Sequence, residues 1–408
     1  MRRVVITDMA LVTPLGKTAE GVLGAMLEGR SGISRIDEWE NIPHMETRVG
    51  GRVGDVTGET IPRKIRKSMS RISLMAAETA LEVVGRSRLT REDLGSGRVG
   101  VSYGSTMGGV AELDGFYREY FSGHGLAGMS SNTFLRIMSH TCASNVALAL
   151  GVAGRIICSC SACTSASQSI GFGFESILHG YADAMLCGGA EELHFITAGV
   201  FDRLMTASTR YNDTPHRTPR PFDVSRDGVV CSEGAGTVLI EELGRARKRG
   251  ARILAELIGF STNCDGRHMT SPSKTGMREA TKIALAQAGI EPKDVNYVNA
   301  HATGTGAGDV AEATMLREIF GESVPVSSSK GHLGHTLGAC GAIEAMLCIE
   351  MMHRGVIHPT LNLEAIDEEC RGIRHVTAPM QAALRHVVSN NFAFGGINSV
   401  LVLKKWSE

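Results

Sequence analysis

Short β-rich runs alternate with longer helical ones along this chain, and that alternation constrains its fold more than any other feature. RRVVIT (2–7) and GRVGVSYG (97–104) read as buried strands. SMSRISLMAAETALEVVG (68–85) sets Ile72, Met75, Ala76, Thr79, Ala80 and Val83 on one helical face. SASQSIGFGFESILHG (165–180) runs as a helix despite its glycines, and YADAMLCGGAEE (181–192) supplies a strand and a tight turn. The rhythm then repeats. MREATKIALAQAG (277–289) is a helix stopped by Gly289, and DVNYVNAH (294–301) is a strand ending on His301. SVPVSSSK (323–330) is a strand ending on Lys330, TLGACGAIEAMLCIEMMHRG (336–355) a helix with a small-residue face, and SVLVLKK (399–405) a late strand. Such a series implies an α/β layered fold. The 408 residues suffice for two core units fused into one body. Charge accumulates around 241–252, which divides the chain into halves at 1–250 and 251–408.

The bulk numbers exclude several classes. A net charge of −1 exerts no global pull toward nucleic acid or an anionic membrane. The 49 glycines form no low-complexity tract, so they read as tight turns and close packing. Asp8 interrupts the N-terminal apolar run, which therefore reads as a strand ending in a Thr-Pro-Leu-Gly turn and not as a leader. No apolar stretch reaches the roughly 18 residues that span a bilayer. Ten cysteines without an export signal point to free thiols in a reducing cytosol.

Three of those cysteines crowd into CSCSAC, at positions 158, 160 and 163. Zinc would require a second Cys or Cys/His pair at motif spacing, and the remaining cysteines are isolated. An i, i+2 disulfide is disfavoured by spacing and compartment. Cys158 and Cys160 lie two apart on a strand and read as small buried hydrophobes. Cys163 falls where strand gives way to helix. There the helix dipole and unpaired N–H groups are expected to lower its pKa and favour the thiolate. Small neighbours leave room for a substrate, and a strand-to-helix turn is a recurring seat for a nucleophile. NAHATGTGAGD carries His301, Thr303, Thr305 and Asp309. SSSKGHLGHTLGACGAIEA carries Lys330, His332, His335 and Glu344. Neutral imidazoles at such turns can donate to an oxyanion or enolate, and the glycine turn of NNFAFGGINS can add backbone donors.

Seven blocks, SACTSASQSIG, GGAEE, RPFDVSRDGVVCSEGAG, HMTSP, NAHATGTGAGD, SSSKGHLGHTLGACGAIEA and NNFAFGGIN, resemble in order the signatures of elongating β-ketoacyl-acyl-carrier-protein synthases of the synthase II type. The resemblance covers nearly the whole chain. It implies a thiolase-like fold, with two similar βα halves in a five-layered α/β/α/β/α body that is usually dimeric. It implies an acyltransferase performing a decarboxylative Claisen condensation with malonyl-carrier protein, which needs no metal or redox cofactor. Cys163 would carry the acyl chain, and His301 and His335 would support decarboxylation and stabilise the enolate. The N–H groups of Cys163 and Phe394 would form the oxyanion hole, while Lys330 with Glu344, and Asp309, would support the site. Thr270, Ser271, Thr303 and Thr305 would contact phosphopantetheine, and Met107 would line the acyl pocket. Arg63, Lys64, Arg66 and Lys67 would dock acyl carrier protein.

The chain departs from the family pattern in HATGT, in Ser232, in the GRII entry at 154–157, and in FAF, where Ala393 replaces a glycine beside Phe394 and narrows that loop's backbone freedom. ACTSASQSIG, GHTLGACGA and NNFAFGGIN are also similar to ketosynthases of aryl-polyene pathways, in which an active subunit pairs with a Cys-less chain-length factor. Fatty-acid elongation as a homodimer is the leading expectation, with a polyene or polyketide heterodimer as the alternative. A degradative thiolase would need a second late cysteine, a starter-type synthase would use Cys, His and Asn, and a non-catalytic chain-length subunit would lack Cys163.

Overall fold

The computed structural model describes residues 2–127 and 129–407. Its strands repeat one pattern twice. In the first half, β1 (Val4–Val12), β2 (Val99–Gly104), β3 (Ile156–Ser159), β4 (Ala184–Glu191) and β5 (Gly234–Glu242) lie in the order β3-β2-β4-β5-β1. In the second, β6 (Ala255–Cys264), β7 (Tyr297–Asn299), β8 (Pro325–Ser327), β9 (Arg374–His375), β10 (His386–Ala393) and β11 (Ile397–Lys405) lie in the order β9-β8-β7-β10-β11-β6. With β9 set aside, each strand has a counterpart, and the parallel and antiparallel pairings agree strand for strand. A short β1–β6 pairing, Val4 opposite Leu257, joins the two sheets.

Six helices complete the layers. α1 (Arg71–Ser87) and α2 (Thr141–Leu150) cover the outer face of the first sheet and share an apolar cluster with β2, β4 and β5. α4 (Lys274–Ala288) and α5 (Gly306–Phe320) do the same for the second sheet. Between the sheets lie α3 (Ser165–Leu178) and α6 (Cys340–Arg354). The difference in position is written in the residues. α4 buries one stripe, whereas every α6 residue from Cys340 to Ile349 is buried, as a helix between two sheets requires. The glycines of α3 permit its close fit. A Cβ on Gly171 would meet the Phe260 ring at 2.1 Å, and one on Gly173 would meet Cys187 Sγ at 2.3 Å. The expected five-layered body is thus observed.

Most sequence expectations hold to within a few residues. α1 begins at Arg71, and α4 ends at Gly289 with φ +66°. The Thr-Pro-Leu-Gly turn is closed by reciprocal Thr13–Gly16 hydrogen bonds. Two strands are shorter than expected: β7 stops at Asn299, two residues before His301, and β8 stops at Ser327, so Lys330 opens a one-turn helix, Lys330–Leu333.

Cys158 and Cys160 require a correction, because both thiols are exposed. β3 is the open edge of its sheet, and Cys160 lies past its end. An edge strand has a neighbour on one side only, so the apolar character of its residues does not bury them. Among the described residues, no helix is long and apolar enough to cross a membrane.

Candidate active site

Segments from both halves meet at one cavity of about 160 Å³. Cys163 sits on a three-residue 3₁₀ turn, Ala162–Thr164, between β3 and α3. Ala162 holds φ +48°, a left-handed conformation that costs a non-glycine residue on the order of 1 kcal/mol. This sharp turn presents Cys163 to the cavity while leaving it only 6% exposed. His301 follows β7, His335 follows the Lys330 turn, and both imidazoles line the same cavity.

His335 Nε2 lies 2.9 Å from Cys163 Sγ, and the two imidazole rings meet edge to face at 5.1 Å. Burial, and then the Lys330 charge, holds the His335 pKa well below the ordinary histidine value. The same two causes, with His335 as a third, depress His301. Both rings are therefore neutral near pH 7, and a neutral imidazole can still donate one hydrogen bond to a developing anion.

The thiol behaves otherwise than expected. Burial pushes its pKa up to about 12, against the smaller opposing pull of Lys330. The dipole at the start of α3 does not offset removal of the thiolate from water, so the resting group is a thiol.

Lys330 stands behind the histidines. Burial disfavours its charge, but the Glu344 carboxylate at 2.6 Å, together with Cys340 and Glu312, outweighs burial and the pKa rises. Glu344 also accepts from Asn391 Nδ2 at 2.8 Å and from Ser329 Oγ at 3.3 Å. Asp309 accepts from the N–H groups of Phe222, Thr303 and Gly304, which shapes the HATGT loop. Thr270, Ser271, Thr303 and Thr305 all line the cavity, and the hydroxyls of Thr303 and Thr305 lie 3.1 Å apart. Phe394 lines it too, with its ring 5.2 Å from that of Phe201.

Other expected residues lie elsewhere. Met107 is 45% exposed and does not line this cavity. It neighbours Thr106, whose carbonyl accepts from Cys160 beside the open β3 edge. Arg63, Lys64 and Lys67 are exposed on the helical turn Arg63–Arg66 and its cap, while Arg66 is half-buried and donates to Thr57 O.

Two residues of the site escaped the sequence reading. Glu312 accepts from the N–H groups of His301 and Ala302 at 2.9 and 2.7 Å, and burial lifts its carboxyl to about 7. Its signal was the i, i+3 spacing from Asp309 on α5. Asn391 braces Glu344 and stood unread within NNFAF.

Comparison with known proteins agrees with this architecture. Residues 1–246 match the profile described as Beta-ketoacyl synthase, N-terminal domain, and residues 254–364 match the C-terminal domain. The chain is 35% identical, over the full length of both proteins, to 3-oxoacyl-[acyl-carrier-protein] synthase 1 of Escherichia coli K12. It superposes with TM-score 0.96 and 42% identity on the crystal structure of a beta-ketoacyl synthase from Burkholderia phymatum, each chain covered in full. The ishigamide ketosynthase/chain length factor follows at TM-score 0.92 and 28% identity, again with full coverage. Profiles that match both halves, and likeness along the entire length, show that this chain belongs to the β-ketoacyl synthase family.

Proposed function

We propose that the chain is a β-ketoacyl-acyl-carrier-protein synthase that lengthens acyl chains by two carbons in fatty-acid biosynthesis. The observation that carries this reading is the Cys163 thiol, 2.9 Å from a neutral His335 and beside a neutral His301, at one cavity. Cys163 Sγ attacks an acyl thioester, its proton passes to His335 Nε2, and the carrier thiol leaves protonated. Malonyl thioester then enters along Thr270, Ser271, Thr303 and Thr305. His301, and His335 once it has shifted to its Nε2–H tautomer by losing the Nδ1 proton, donate to its thioester oxygen as carbon dioxide departs, so charge collects on an enolate rather than on a free carbanion. The enolate carbon attacks the Cys163 thioester, and the oxyanion is held by the N–H groups of Cys163 and Phe394. Collapse releases the 3-oxoacyl-carrier protein, and the thiolate takes up a proton. The Lys330–Glu344 pair positions the histidines and keeps them neutral. The steps balance without a metal or redox cofactor, so none is invoked.

Acyl carrier protein is the proposed partner, docked on Arg63, Lys64 and Lys67, which face solvent; Arg66 contributes less because it is bonded internally. We also read the protein as a dimer. Unpaired edge strands invite partners; β3 exposes Ile156 and α2 exposes Leu148. All ten cysteines are free, which suits a reducing cytosol. The likeness to a ketosynthase/chain length factor favours one second reading, an active subunit of a polyene or polyketide pathway.

Incubation with an acyl-carrier-protein thioester, followed by digestion, should place the acyl mass on Cys163. Acyl mass on Cys158 or Cys160 alone would refute the assignment. Elongation of a panel of saturated and polyenoyl thioesters, with native mass measured alone and with a chain-length partner, separates the two pathways.

A further inference from the structure

Cys163, His301 and His335 form a donor set whose use need not stop at condensation. One ligand atom from each lies within 4.8 Å of the other two, and all three residues are buried. In a tetrahedral zinc site the ligand atoms sit about 2.0–2.3 Å from the metal. Side-chain shifts on the order of 1 Å would close this set around a cation. The fourth position opens into the cavity of about 160 Å³, which leaves room for water or an anionic ligand. The nearby Lys330 ammonium is paired with the Glu344 carboxylate at 2.6 Å.

One observation limits what such a metal can be. Ligating histidines in resident zinc sites are almost always oriented through their second ring nitrogen. Here Nδ1 of His301 and Nδ1 of His335 are both buried without a hydrogen-bond partner. The arrangement therefore suits a reversible guest and not a permanent cofactor.

We propose that Cys163, His301 and His335 together bind a thiophilic divalent cation such as Zn²⁺, and that this cation inhibits the enzyme by occupying its nucleophile. Binding forms a sulfur–metal bond and releases the thiol proton to solvent, while each histidine supplies one lone pair. Metal and acyl thioester then compete for the same sulfur. The exposed thiols of Cys158 and Cys160 are the rival site, since they lie two apart at the sheet edge.

The test is titration of the full chain with Co²⁺ under inert gas, read by the near-ultraviolet thiolate-to-cobalt band. The expected result is one equivalent bound, displaced by Zn²⁺, kept in the Cys158→Ser/Cys160→Ser double variant and lost in Cys163→Ser. His301→Ala should weaken cobalt binding by more than about tenfold. In the unmodified protein, Zn²⁺ should also shield Cys163 from alkylation, as read by peptide mass, a measurement that does not depend on any variant folding. A band that survives in Cys163→Ser, a band lost in the double variant, or no band at saturation would each overturn the proposal. No acyl substrate is involved, so a chain that binds cobalt but does not elongate thioesters separates this inference from the proposed function.

Discussion

The two halves of the molecule build the same turn and use it differently. In the first, the 3₁₀ turn Ala162–Thr164 leads into α3, with Ala162 at φ +48°. In the second, the 3₁₀ turn Leu337–Ala339 leads into α6, with Leu337 at φ +45°. The middle residue is Cys163 in one and Gly338 in the other. Glu191, at the end of β4, accepts from Gly338 N at 3.1 Å and from Thr106 N at 3.0 Å. A Cβ on Gly338 would meet Glu191 Oε2 and Thr106 N at 2.8 Å and Ser105 Cα at 2.9 Å. One turn thus offers a side chain to a cavity, while its counterpart offers bare backbone to a clamp on the first half. The outer edges differ as well. β9 pairs with the outer edge of β8, whereas among the described residues no strand pairs with the outer edge of β3. Repetition of the backbone supplied the scaffold, and function followed from which copy was left open.

Changes at the two turns should break this comparison in opposite ways. Cys163→Ala should lower condensation by at least about 10³-fold, as for loss of a covalent nucleophile, with little change in melting temperature. Gly338→Ala should instead act on stability, by about 1–3 kcal/mol, because its neighbours are backbone and a bonded carboxyl that cannot move aside cheaply. A Gly338→Ala protein that melts with the parent would mean that the clamp is not tight.

Glu191 sharpens the comparison through pH. Burial lifts its carboxyl to about 7, against the hydrogen bonds that favour the charged form. Between about 4.5 and 7 the folded chain therefore holds a proton that the unfolded chain has released. This group's contribution to stability accordingly falls as pH rises through that window. Glu191→Gln should flatten the slope of melting temperature between pH 5 and 7, and an unchanged slope would show that Glu191 ionises normally.

The smallest effect on the single chain is expected at the open edge. Ile156→Lys should change the stability of the isolated chain by no more than about 0.5 kcal/mol, as for a surface position, yet halve the native mass. An unchanged mass would count against the proposed dimer contact at β3.

Much of this was legible in the residues. The period of the apolar positions located α1 and α4, and Gly289 marked the end of α4, because only glycine takes φ +66° there without strain. The ordered blocks gave Cys163, His301, His335, Lys330 and Glu344, since residue type and spacing carry the chemistry. Three features were not legible, and each depends on distant neighbours. Cys158 and Cys160 looked like core because their composition is apolar, but exposure depends on whether another strand lies alongside. The Cys163 pKa looked low because local sequence shows the start of a helix, whereas desolvation by the surrounding fold dominates. Glu312 and Asn391 act through contacts to His301 and Glu344, 11 and 47 positions away in the chain.

The order of residues therefore specified the elements, the candidate nucleophile and its two proposed histidine partners, because periodicity and side-chain chemistry are local properties. Folding alone brought Cys163 and His335 to 2.9 Å across 172 positions, raised the thiol pKa, and left β3 bare. Proximity, solvent exclusion and free edges arise only when segments far apart in sequence pack against one another.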